Sequence, residues 1–215
     1  MDAELFANTF PRLFHMAHSD SWDGIQRHGL LSTTALLDLF EIGGKQRMEI
    51  EATIRKSSIR ITHPKHGVAV IRDQKPLMSD KKVASALGDS ATPEQWYRLL
   101  NTKAYFWVLP ERLQRLRNAV EYRAEPQLVL TFDTKRILSA HADKIWLCPM
   151  NSGACKPFAH PRTPAIFQRL VDYDFEFWRK KRSSAQKAVV ECTIEYMLPN
   201  VEDYLIKKEN LDAFS

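Results

Sequence analysis

The chain is poor in the residues that build common nucleotide sites: seven glycines in 215 residues, none arranged as a glycine-rich phosphate loop, exclude a dinucleotide-binding fingerprint of the doubly wound kind. Three cysteines, an odd number, make a disulfide framework a poor reading and point to a reducing compartment, so cytoplasm is the expected location. The longest apolar run, Ala104 to Leu109, falls far short of the roughly 18 to 20 residues that cross a bilayer, and no membrane association is expected. Met1-Asp2-Ala3-Glu4-Leu5 is not the basic opening of a secretory signal. There is no GxSxG, no HExxH, no kinase signature and no repeat.

What is present describes a folded domain. Apolar residues make up 44% and charged residues 27%, a balance that excludes disordered and fibrous classes. Lys plus Arg is 31 against 26 Asp plus Glu, a net charge of +5, which suits a polyanionic partner. The excess is local: Arg179-Lys180-Lys181-Arg182 form one run, and Arg112, Arg115 and Arg117 share a short segment. The plain reading of such runs is a solvated face.

Periodicity and caps predict strands alternating with short helices, too irregularly for a parallel doubly wound sheet. Leu13 to Ala17 reads as a strand, followed by a helix from Asp20 to His28 that Gly29 closes. A helix over Thr34 to Phe40 precedes an apolar strand, Gly67 to Ile71, with Arg72 at its exit. Thr92-Pro93-Glu94-Gln95 is a capping box ahead of the Trp96, Leu99, Leu100 stripe. Ala104 to Leu109 predicts a strand, Pro110 to Asn118 a helix with exposed arginines, Leu128 to Phe132 a strand and Thr134 to Ala140 a helix. Pro149 to Pro164 holds four prolines and reads as a long irregular connection, the kind of loop that often carries function. No linker stands out, so residues 1–215 read as one domain, with residues 75–101 as a candidate helical insertion.

The last strong strand, Ala188 to Tyr196, alternates: Val190, Cys192, Ile194 and Tyr196 face one way, Val189, Glu191, Thr193 and Glu195 the other. Either Glu191 is a solvated carboxylate or it lines the wall of a cleft. His15 and His18 fall on opposite sides of an extended segment; His63 and His66 have no cysteine or carboxylate near them; Cys148 and Cys155 stand apart from other metal-ligand types. No metal is expected.

Three patches carry a resemblance. Leu13-Phe14-His15-Met16-Ala17-His18, followed by Trp22, Ile25 and His28-Gly29-Leu30, resembles the opening of the DarT-type ADP-ribosyltransferases and, more distantly, of the RNA 2′-phosphotransferases. Lys103-Ala104-Tyr105-Phe106-Trp107 resembles their central aromatic strand. Ala188 to Ile194, with Leu198-Pro199-Asn200-Val201 and Tyr204-Leu205-Ile206, resembles the strand bearing the catalytic glutamate. Together they cover about a quarter of the chain and imply an α+β fold, a split antiparallel sheet surrounded by short helices, with a cleft for NAD.

By that resemblance Glu191 is the catalytic carboxylate, and His15 binds the NAD ribose. Tyr105, or its neighbour Phe106, packs on nicotinamide. Arg72 is a candidate for the pyrophosphate, and Arg179, Lys180, Lys181 and Arg182 fall where the family recognises substrate, here nucleic acid. The activity implied is NAD-dependent ADP-ribosyl transfer of a toxin or phage-defence type, with NAD as co-substrate and a neutralising antitoxin as a further partner. The alternatives are a catalytically inactive nucleic-acid-binding module on the same fold and an RNA 2′-phosphotransferase-like enzyme.

Overall fold

A computed structural model describes residues 1–120 and 122–212. It contains eleven strands and ten α-helices among those residues. The strands are β1 Arg12–His18, β2 Leu30–Leu31, β3 Ile59–His63, β4 Gly67–Ile71, β5 Lys103–Trp107, β6 Gln127–Asp133, β7 Ile145–Cys148, β8 Gln168–Arg169, β9 Glu191–Glu195, β10 Met197–Leu198 and β11 Leu205–Leu211. The helices are α1 Ala3–Thr9, α2 Trp22–His28, α3 Thr33–Leu39, α4 Gly44–Glu51, α5 Asp80–Leu87, α6 Pro93–Asn101, α7 Pro110–Arg117, α8 Thr134–His141, α9 Phe175–Arg182 and α10 Ala185–Ala188. No helix among the described residues is long and apolar enough to cross a membrane.

Local chemistry explains most boundaries. Asp2, Ser32, Ser79, Thr92, Asp133 and Asp174 cap α1, α3, α5, α6, α8 and α9 by accepting a hydrogen bond from a first-turn amide. The reciprocal Thr92–Gln95 capping box is present as expected. Gly29 closes α2 at φ +89°, and a Cβ there would lie 2.5 Å from the Leu198 carbonyl oxygen. That contact seats α2 against the short β2–β10 pair.

Seven strands form one sheet in the order β11-β6-β1-β5-β9-β7-β8. Its paired neighbours are antiparallel throughout. The pairing is uneven. β1 pairs with β6 along its whole length, from Arg12↔Asp133 to His18↔Gln127, and β5 pairs with β9 from Lys103↔Glu195 to Trp107↔Glu191. Between β1 and β5 there is a single register pair, Phe14↔Trp107. The sheet is therefore split into a β11-β6-β1 half and a β5-β9-β7-β8 half hinged at that pair, as the expected fold class requires.

One face of the sheet packs on the main core, where Phe6, Phe10, Leu13, Phe106, Phe132, Cys192 and Ile194 are almost wholly buried. Each large side chain placed there contributes about 1.5–3 kcal/mol of transfer free energy, which fixes strand parity. The β3–β4 hairpin is a separate sheet with its own small cluster around Leu37, Phe40 and Ile61. Leu77, Val83, Trp96 and Tyr97 of residues 75–101 pack with Cys148, Cys155 and Phe167.

Three local expectations need correction. The last strand starts at Glu191, because Ala185–Ala188 takes a helical turn and both Val189 and Val190 are buried. Tyr196 leaves the alternation: its φ of +66° turns it outward, where its hydroxyl donates to Asp38 Oδ2 at 2.9 Å. The helix at Arg112, Arg115 and Arg117 does not expose all three arginines, since Arg112 and Arg117 are half-buried.

Candidate active site

Where β1 and β5 part, a cavity of about 330 Å³ opens, walled by His15, Arg72, Asp73, Tyr105, Ser152 and Glu191 among others. It brings together five of the residues singled out in the sequence: His15, Arg72, Tyr105, Phe106 and Glu191. Register places part of this set: directly paired residues share a face, so Phe14, Trp107 and Glu191 lie on one side of the sheet, with Tyr105 and Thr193, while Phe106, Cys192 and His15 lie on the other, and His15 lines the cavity only because β1 and β5 part there.

Glu191 is buried, with Trp107 and Cys148 as its neighbours across the strands. The Ser152 N–H donates to both of its oxygens, at 3.2 and 3.1 Å. Burial pushes the carboxyl up to about 7, against the opposing pull of Ser152 and of the Arg112 and Arg162 charges. A carboxyl in that range both accepts and releases protons near neutral pH.

His15 stands at the split. Its Nδ1 lies 2.8 Å from the Tyr105 carbonyl oxygen, bridging strands that have ceased to pair there. A carbonyl only accepts, so Nδ1 carries the proton and Nε2 is left as an acceptor. Burial lowers this imidazole to about 4, with the Arg72 charge adding to the effect, so the ring is neutral at pH 7.

Tyr105 is the aromatic on the Glu191 face; its hydroxyl donates to the Leu100 carbonyl at 3.2 Å, and burial raises its ionisation well above the ordinary value. Phe106 also borders the cavity, while its ring packs with the core, edge-on to Phe132 at 5.6 Å and to His15 at 6.2 Å.

Arg72, just beyond β4, turns into the cavity. One terminal nitrogen, Nη2, donates to Gln127 Oε1, and the guanidinium lies 5.2 Å from the centre of the Tyr122 ring. Its Nε and Nη1 are buried without a hydrogen-bond partner among the described residues. Buried donors left so are costly, and an anion in the cavity would satisfy them. Arg55 also lines the cavity, but it donates to the Arg72 and Ile50 carbonyls and to Asn101 Oδ1.

The basic run does not form a free loop before the glutamate strand, because Asp174 caps it into helix α9. Arg179 pairs with Glu176 at 2.7 Å, and the Lys181 ammonium sits 5.0 Å from the Trp178 ring centre. Arg182 is half-buried and donates to the Pro149 carbonyl at 3.1 Å, bracing the loop that carries Ser152. Lys180 is exposed. Of this run only Arg182 therefore touches the site's framework.

Ser152, Arg112 and Arg162 were not singled out for the site. Arg112 acts electrostatically on Glu191 with a buried, unpartnered Nε, and Arg162 grips the Ser152 loop. The signal pointing to Ser152 and Arg162 was the length and proline content of the Pro149 to Pro164 connection, and to Arg112 its place in the local arginine cluster.

The split antiparallel sheet with its surrounding helices defines an α+β protein whose cleft brings the buried Glu191 carboxyl and His15 to one cavity. The chain belongs to DUF7002, a family of unknown function, whose model matches residues 11–205. No curated protein matches it. Among solved structures it is similar to Thermosipho africanus DarTG in complex with ADP-ribose, at 14% identity and a TM-score of 0.41. The match covers 91% of this chain and 43% of that one, so this chain spans less than half the length of that protein.

Proposed function

We propose that the protein is an NAD-dependent ADP-ribosyltransferase whose acceptor is nucleic acid. The observation that carries the reading is Glu191: a carboxylate buried in the wall of the split, raised to about 7, sharing one cavity with a neutral His15 and with the unpartnered Arg72 donors. The sequence resemblance assigns the same residues to the same roles.

NAD would be held by this set as a substrate. Arg72 offers two N–H donors to the pyrophosphate, His15 Nε2 accepts from a ribose hydroxyl, and Tyr105 offers an aromatic surface to nicotinamide. The bond between the ribose anomeric carbon and nicotinamide breaks, nicotinamide leaving with the bonding electrons. The ionised Glu191 stabilises the positive charge that builds on the ribose. The acceptor atom then bonds to that carbon and gives its proton to Glu191, so atoms and charge balance.

A nucleic-acid acceptor is supported by the net charge of +5, by Lys180 and Lys181 exposed on α9, and by Arg112 beside Glu191. A toxin role and a neutralising partner go with this reading.

The test is mass-spectrometric. Wild type and Glu191→Gln are incubated with NAD and with single-stranded DNA, duplex DNA or RNA, and nicotinamide and adducts are quantified. Wild type should release nicotinamide and leave an ADP-ribose adduct on one pool. The Gln variant, which keeps an oxygen for the Ser152 amide, should lose about 10²- to 10⁴-fold in rate. Folded wild type that consumes no NAD with any pool would reject the reading, and NAD-independent, salt-sensitive binding would favour a non-catalytic module.

A further inference from the structure

The loop over Glu191 has neither helix nor strand between residues 149 and 163, so its place must be held by discrete bonds. The Arg162 side chain supplies three of them. Its Nη1 donates to the Ser152 carbonyl at 2.9 Å, Nη2 to the Ala154 carbonyl at 2.8 Å and Nε to the His160 carbonyl at 3.2 Å. Its own amide donates to the Ala86 carbonyl in α5 at 2.8 Å. The side chain is almost wholly buried, and the turn it grips is the one whose Ser152 N–H meets both oxygens of Glu191.

We propose that Arg162 is the positioning residue of this site: by holding the Ser152 and Ala154 carbonyls it aims the Ser152 amide at Glu191 and keeps that carboxylate facing the cavity. It touches no reacting atom itself. A planar fork with donors in several directions meets three carbonyls at once, which a lysine ammonium on a flexible stem does not match. A buried guanidinium is an expensive way to pack a loop, since an apolar side chain would fill the space without desolvation. Its charge is spent where its field reaches Glu191 and Cys148.

The groups facing Glu191 are Tyr105 from β5, Cys148 from β7, Arg112 from α7, and Ser152 and Arg162 from the loop. The two arginines favour the carboxylate form while burial favours the neutral one. Loss of Arg162 removes one of the two charges and releases the amide, and both changes act in the same direction on Glu191.

The proposal rests on Glu191 being the working carboxylate, and its test keeps the two separable. Carboxyl ¹³C and amide ¹⁵N spectra are recorded against pH for wild type, Arg162→Met and Arg162→Lys, with Glu191→Gln giving the assignment; NAD turnover is followed in parallel. In wild type the Ser152 amide should titrate with the Glu191 midpoint. In Arg162→Met the midpoint should rise by about one unit and the acid limb of turnover should move with it. Arg162→Lys should recover most of the midpoint but not the amide coupling.

A folded Arg162→Met with wild-type midpoint and coupling would overturn the proposal while leaving an active Glu191 in place. Should that variant not fold, a wild-type Ser152 amide that is flat through the Glu191 titration overturns it equally. A shifted midpoint in a protein that never turns over NAD supports the positioning role and rejects the enzyme reading instead.

Discussion

His15 and Glu191 face one cavity from the two halves of the split sheet, and the same burial sends them to opposite ends of the scale. The imidazole falls to about 4 and the carboxyl rises to about 7. The histidine is thus locked neutral through the physiological range, with its Nδ1 proton committed to the Tyr105 carbonyl. The glutamate is poised inside that range, held by one backbone amide donated to both of its oxygens. One half of the sheet offers a fixed acceptor and the other a group that exchanges protons. Burial alone does not make a catalytic residue; which charge state burial removes decides it.

The contrast breaks most severely from behind. Cys192 is wholly buried on the core face, next to Glu191 in β9. Cys192→Asp places an unpaired charge among Phe106, Ile194 and their neighbours and should cost about 4 kcal/mol or more, read as a lowered urea midpoint. A change within experimental error would mean that β9 is out of register.

Acid titration sharpens the contrast. Between pH 4.5 and 6.5 the unfolded chain protonates His15 more than the folded one does, so that group makes stability rise with pH. Over the same window the folded chain holds a proton on Glu191 that the unfolded chain releases, so that group makes stability fall with pH. The two slopes cancel in wild type. Glu191→Gln removes one, and its stability should climb from pH 4.5 to 6.5 by about 2 kcal/mol relative to wild type, measured by urea unfolding at both ends. Parallel curves would remove Glu191 from the raised range.

The smallest effect concerns what sits between the two. Arg72→Met removes the unpartnered donors and should weaken binding of ADP-ribose, measured calorimetrically, by about 10- to 100-fold, the range for hydrogen bonds to a charged group. Unchanged affinity would place the anion elsewhere in the cavity.

The strands that build the cleft were legible because their chemistry is periodic. β1, β5 and β9 alternate or run apolar, and Gly29 and the Thr92 capping box mark helix boundaries by themselves. β11 was not legible: Leu205–Leu211 holds Lys207, Lys208, Glu209 and Asn210, a polar edge strand whose order comes from pairing with β6. Glu191, His15 and Arg72, singled out in the sequence, all line the cavity, whereas which of Tyr105 and Phe106 shares the Glu191 face is visible only from the β5–β9 register. Ser152 and Arg162 lie on a loop without period, and their roles arise from bonds between positions 10 and 39 residues apart. The basic run was visible as charge, but its capping into α9 and the diversion of Arg182 to the Pro149 carbonyl were not.

Gly29 gives the resemblance itself a physical meaning. A methyl group at that position would be driven into the Leu198 carbonyl, so the backbone, and not any reaction, dictates the residue there. The His28-Gly29-Leu30 pattern is therefore a mark of shape: it records how closely α2 approaches the β2–β10 pair and carries no information about the chemistry of the cleft.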